Sequence, residues 1–180
     1  MAIQDFPNSI LKTQNKLYRF ALRILGSVQE AEDVVQEVLM KVWEKRLDLG
    51  NIHNKEAWCM RMVKNKSLDK LKAKPNQPHE AVESLYYLDS NHSPEKETEN
   101  RDMLDHVGKI IKGLPEKQRM CIQLREIEGH SYEEISEILE ISMNQVKTNI
   151  FRARQKIRTA MIKLEDDDVK KKKPIKEACN

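Results

Sequence analysis

Two helix-start signals only eleven residues apart constrain this chain more than anything else: Ser131-x-x-Glu134 and Ser142-x-x-Gln145. In such a pair the Ser hydroxyl accepts from a backbone N–H in the first turn, and the acid or amide reaches back to the Ser N–H. The space between them holds one short helix, with Ile135, Ile138 and Leu139 as an apolar stripe at i, i+3, i+4. The second signal opens a longer helix that buries Val146, Ile150, Ala153 and Ile157. Two helices joined this closely form a helix-turn-helix.

The other face of the second helix points to a polyanion. Asn144, Lys147, Thr148, Phe151, Arg152 and Gln155 fall on one stripe. From Ile141 to Leu164 there is no Asp or Glu, whereas the preceding helix carries Glu133, Glu134, Glu137 and Glu140. Arg, Lys, Asn and Gln are the side chains that reach base edges and phosphates from a helix in the major groove. A basic run alone would read as solvated surface. Two caps, a tight turn and an acid-free second helix together favour DNA.

Composition excludes other classes. The 180 residues are 39% hydrophobic but only 5% aromatic, with 5 Gly and 6 Pro, which favours an all-α fold. Net charge is only +3, so the argument for nucleic acid rests on local clustering. Cys59, Cys121 and Cys179 show no metal-ligand spacing and read as reduced thiols of a cytoplasmic protein. The five histidines are scattered, with no triad or metal spacing, and no glycine-rich phosphate loop occurs. Neither an enzyme nor a cofactor is expected. No apolar run nears the ~20 residues that span a bilayer, so no membrane insertion is expected.

Met1 to Pro7 reads as a leader, and a helix from Asn8 is closed by Gly26. Ser27 and Glu30 start the next helix, whose apolar stripe runs Ala31, Val34, Val35, Val38, Leu39, Val42, Trp43. Its outer face holds Asp33, Gln36, Glu37, Lys41 and Glu44. Asn54 is a candidate cap for a third helix, Lys55 to Lys64, and Asn65 for a fourth, Lys66 to Lys74. From Lys55 to Lys74 seven Lys or Arg face only Glu56 and Asp69, a second basic region. Residues 75–98 carry Pro75, Pro78 and Pro94 without periodicity and read as a flexible linker. Helices then resume around Met103 to Leu114 and Met120 to Ile127. Residues 165–180 switch from acid to lysine and read as a disordered tail. The expected architecture is two small helical domains, 8–74 and 99–164, the second a helix-turn-helix (winged-helix-like) domain.

At this point the chain resembles the extracytoplasmic-function (ECF) sigma factors, minimal bacterial sigmas with regions two and four. The resemblance runs from about Ile10 to Met161 and is carried by AEDVVQEVLMKVWEK, EAWCMRMVKNKSLDKLK, LPEKQRMCIQLREIEGHSYEEISEIL and ISMNQVKTNIFRARQKIR, in that order. It implies binding to core RNA polymerase, promoter recognition and DNA melting. Asp33, Gln36, Glu37 and Lys41 would dock on the β′ clamp, and region four would meet the β flap. Asn65 would sit at the pocket for a base flipped from the −10 element, where unstacking costs a few kcal/mol. Lys64, Lys66, Lys70 and Lys72 would hold the melted strand's phosphates, with Asp69 beside them. Asn144, Lys147, Thr148, Phe151, Arg152 and Gln155 would read the −35 element. An anti-sigma factor is the implied regulator.

Some positions depart from the family pattern. Asn149 replaces a usual Arg, Met143-Asn144-Gln145 a usual Val-Gly-Thr, Ser136 a usual Ala, and Glu140 stands where Gly or Asn makes the turn. A left-handed backbone at Glu140 would cost on the order of 1 kcal/mol. Two alternatives remain at this level: a helix-turn-helix regulator that does not recruit polymerase, and a sigma mimic that titrates an anti-sigma factor.

Overall fold

The computed structural model describes residues 6–45, 52–73 and 106–171. The linker expected at 75–98 and the end of the tail lie outside the described residues. The described chain is helical: α1 Phe6–Leu25, α2 Val28–Glu44, α3 Lys55–Ala73, α4 at 106–112, α5 Glu116–Ile122, α6 Tyr132–Leu139 and α7 Met143–Lys171. One π-helical segment, Gln123–Ile127, continues α5. No β-strand occurs among the described residues.

The first three helices pack on one another. Leu17, Phe20, Ala21 and Leu25 of α1 meet Ala31, Val34, Val38 and Val42 of α2 and Ala57, Met60 and Val63 of α3 in a dry core. The α1–α2 corner is made by Gly26, whose φ of 71° is open to glycine without a Cβ penalty. Its N–H closes α1 on the Leu22 carbonyl at 2.8 Å. Ser27 then caps α2, accepting from the Glu30 N–H. Asn54 caps α3 through Oδ1, which accepts from the Ala57 N–H at 2.9 Å.

In the second half α5 packs on α7, and α6 on both α7 and the π-segment. Leu124, Ile135, Ile138, Val146, Ile150 and Ala153 are buried there. Both capping signals form as read. Ser131 and Glu134 make a reciprocal box at 3.1 and 2.8 Å. Gln145 accepts from the Ser142 N–H at 2.9 Å, and Ser142 Oγ accepts from the Gln145 N–H at 3.3 Å.

Four sequence expectations are corrected. The third and fourth helices are one helix, Lys55–Ala73. No Gly or Pro interrupts it, and Asn in an exposed helix interior costs only about 0.7 kcal/mol. Buried Val63 and Ser67 carry the inward face straight past Asn65. Trp43 is 58% exposed, not core, because Val38 and Val42 already complete the stripe and the next residue rotates off it. α1 starts at Phe6, since Pro7 in a first turn has no hydrogen bond to lose. α7 continues past Leu164 to Lys171, there being no helix breaker before Pro174.

The two halves are docked. α3 packs on α6, and the side chain of Glu128, fully buried, takes two cations from α1. Arg19 Nη2 lies 2.7 Å from Glu128 Oε2, and Arg23 Nη1 lies 2.6 Å from Oε1. Removing one member of a buried pair leaves uncompensated charge. Glu128→Ala is therefore expected to weaken docking by about 3–5 kcal/mol. X-ray scattering would register it as a larger radius of gyration. An unchanged radius with an unchanged unfolding midpoint would show that the triad contributes nothing.

Candidate nucleic-acid and polymerase interface

The α7 stripe is presented to solvent. Asn144, Lys147, Thr148, Phe151, Arg152 and Gln155 are all exposed, while Val146, Ile150 and Ala153 are buried beneath them. Phe151 is 62% exposed, an uncommon position for an aromatic ring with a complete core at its back. Thr148 is half committed, since its hydroxyl donates to the Asn144 carbonyl at 2.8 Å. Asn149 likewise donates to the Gln145 carbonyl at 2.9 Å. Arg154 belongs to another side of the helix. It is tied to Glu126 of the π-segment, which raises its pKa.

The α3 cations stand in a different state. Lys64 is buried and pairs with Glu140 across the domain boundary at 2.7 Å. Lys66 pairs with Glu37, and Lys70 with Asp33 at 3.3 Å. Lys72 lies 3.7 Å from Asp69 along the same helix. Asn65 is exposed. The acids expected to dock on polymerase and the lysines expected to hold DNA therefore meet on neighbouring helices, in part-exposed pairs worth about 0–1 kcal/mol each.

On α2, Asp33, Gln36, Glu37 and Lys41 are all exposed. The sequence reading missed their apolar companions. Met40 is 64% and Trp43 58% exposed, and with Gln36 they follow i, i+4, i+7 on one face. That signal was available: residue 43 falls outside the stripe once Val38 and Val42 are taken as its spine.

The interdomain polar contacts were also missed. Asn54 Nδ2 donates to Glu134 Oε1 at 2.8 Å, so the α3 cap also holds α6. His130 is buried, with Nδ1 3.4 Å from Glu134 Oε2 and Nε2 3.7 Å from Glu56 Oε1. Glu140 has φ 55° and ψ 45°, the left-handed C-cap of α6, and so turns its side chain toward α3. No sequence period links residues so far apart.

Two carboxyls at this boundary sit below their ordinary value of 4.5. Glu134 is held down first by the Ser131 backbone N–H and then by Asn54 and His130. Glu140 is held down first by its hydrogen bond from Lys64, then by Asn65 and the Arg61 charge. A depressed carboxyl stabilises fully above its unfolded pKa, and that stabilisation is lost as pH falls through the lower folded value. The Glu140 shift comes from α3 across the boundary, so docking is expected to loosen as pH falls below about 4.5, with Glu140→Gln flattening part of that acid dependence. Scattering from pH 6 to pH 3 on both proteins checks this, and identical acid profiles would refute it. Burial pushes the Cys59 thiol up to about 12 and the Cys121 thiol up to about 11. With Cys179 changed to Ser, native protein at neutral pH is expected to react negligibly with Ellman's reagent, and to release both thiols on unfolding.

No group of His, Cys, Asp and Glu suited to a metal ion occurs among the described residues. No described helix is long and apolar enough to cross a membrane. Family models match twice: Sigma-70 region 2 over residues 10–75 and Sigma-70, region 4 over residues 105–157. The chain is 31% identical over 164 residues to the RNA polymerase sigma-H factor of Pseudomonas aeruginosa, covering 84% of this chain and 83% of that one. It is 30% identical over 164 residues to the ECF RNA polymerase sigma factor SigW of Bacillus subtilis, covering 81% and 82%. Among solved structures it is similar in fold to the sigma factor RpoE of Bartonella quintana, crystallised with the anti-sigma factor NepR. That match has a TM-score of 0.70 at 24% identity, over 88% of this chain and 97% of that chain.

Proposed function

The chain belongs to the ECF sigma factors of RNA polymerase, and on that premise we propose that it binds core polymerase, directs it to promoters and helps open the DNA there. The observation that carries this reading is the match to region two and region four, in order, on a chain whose α7 keeps an acid-free, solvent-facing stripe. Chemistry on the nucleotides belongs to the polymerase, and the protein itself is not an enzyme. It works where polymerase works, in the cytoplasm. By family analogy an anti-sigma factor restrains it.

The roles follow the faces. Asp33, Gln36, Glu37 and Lys41 dock on the β′ clamp, with Met40 and Trp43 adding the apolar centre that a stable interface needs. Asn65 offers both a donor and an acceptor to an extruded −10 base, with Asp69 beside it. Lys64, Lys66, Lys70 and Lys72 hold the strand's phosphates. On α7, Lys147 and Arg152 bind phosphate or guanine edges, Asn144, Thr148 and Gln155 add polar contacts, and Phe151 offers an apolar face to a thymine methyl. Region four also meets the β flap.

Run-off transcription with purified core polymerase and genomic promoter fragments tests the whole reading. New defined transcripts are expected, falling tenfold or more, about 1.4 kcal/mol, with Asn65→Ala and further with Lys147→Ala plus Arg152→Ala. Phe151→Ala is expected to change which promoters are used more than the total yield. Specific duplex binding without core binding would instead leave a helix-turn-helix regulator. Core or anti-sigma binding with no transcripts from any fragment would leave a sigma mimic.

A further inference from the structure

The strained turn of the helix-turn-helix enters the α3 surface assigned above to the −10 strand. Glu140 is the one described non-glycine residue with positive φ, at 55°. An L side chain there is strained, and Gly or Asn would relieve it. What the Glu provides instead is a carboxylate on Lys64 at 2.7 Å, with Asn65 and the charge of Arg61 also holding its pKa down. Lys64 is only 8% exposed beneath it. The neighbouring contacts hold the turn in place: Glu134 on Asn54 at 2.8 Å, and Glu128 on Arg19 and Arg23.

We infer that Glu140 is an intramolecular plug of the −10 strand site, its carboxylate standing where a DNA phosphate would sit. A lysine ammonium and an asparagine amide are donors that a carboxylate and a phosphate both satisfy. One oxyanion excludes the other at that distance. The docked chain is therefore closed to the melted strand at this position, and the site is freed when the Glu140 carboxylate leaves Lys64. This rests on the assignment of Lys64 and Asn65 to the −10 strand, and the test separates the two.

The full-length chain is compared with Glu140→Gly, which removes both carboxylate and strain, and with Glu140→Gln. Glu137→Gln, on the exposed side of α6, controls for the lost charge. The first readout needs no DNA: the rate of reductive methylation of Lys64, followed by mass spectrometry. The second is anisotropy of a fluorescein-labelled single-stranded DNA of about 15 nucleotides without polymerase. Lys64 is expected to react faster, and the DNA to bind about tenfold tighter, in Glu140→Gly, as for a closed form outnumbering the open one by about ten to one. Adding Asn65→Ala should cancel the gain, and Glu137→Gln should show none. An unchanged Lys64 rate in both Glu140 variants would overturn the plug itself. A faster Lys64 rate with unchanged DNA binding would overturn the inhibitory role through failure of the −10 assignment, leaving the contact standing.

Discussion

One buried carboxylate decides how this chain is assembled. Glu128 has no exposed side-chain surface, and Arg19 and Arg23 close on its two oxygens. A carboxylate so deep is accommodated only with such partners. Those partners lie on α1, more than a hundred residues away in sequence. The Glu is aimed there by the π-segment before it. The Glu128 N–H bonds the Gln123 carbonyl at 3.1 Å, a wider turn than an α-helix makes, which rotates residue 128 away from the α5–α7 core. His130 then reverses the chain, its N–H on the Leu124 carbonyl, with Gly129 at φ 76° between. The local irregularity and the long-range ion pair are one device.

Around that triad the charge pattern is reciprocal. α6 and its turn are acidic, and α3 is basic. Docking sets Glu134 against Asn54 and Glu140 against Lys64. The same split that keeps acids off the solvent-facing α7 stripe supplies the counter-ions that quiet α3. Most of these pairs are part-exposed and contribute little each. The deep Glu128 triad fixes the geometry in which the weaker pairs can form.

Local features of the fold were legible in sequence because local physics sets them. Both boxes, the Asn54 cap, the Gly26 corner and the left-handed turn depend on residues within one helical turn of each other. Asn65 misled because a good capping residue is only a weak helix breaker, and Val63 and Ser67 on the buried side outweighed it. Trp43 misled because hydrophobicity was allowed to extend a stripe that geometry had already ended. The α7 stripe was legible, since exposure there follows from the buried positions between. The docked state of Lys64 was not: nothing within ten residues of it announces Glu140.

The closed arrangement treats the two surfaces proposed to read DNA unequally. α7 holds Lys147, Phe151 and Arg152 in solvent whether or not the halves are docked, because its core partners are α5 and α6. α3 has its most buried cation taken by Glu140. On the roles proposed here, duplex reading by α7 needs no rearrangement within the protein, whereas strand capture by α3 does. Water and phosphate can replace the polar contacts at the boundary, whereas the α3–α6 packing and the apolar cluster shared by both halves have no such substitute. Among those polar contacts Glu128 is the exception, because undocking breaks two short charge-assisted contacts to one carboxylate at once. An occupant that draws the halves fully apart must replace that triad as well as the plug.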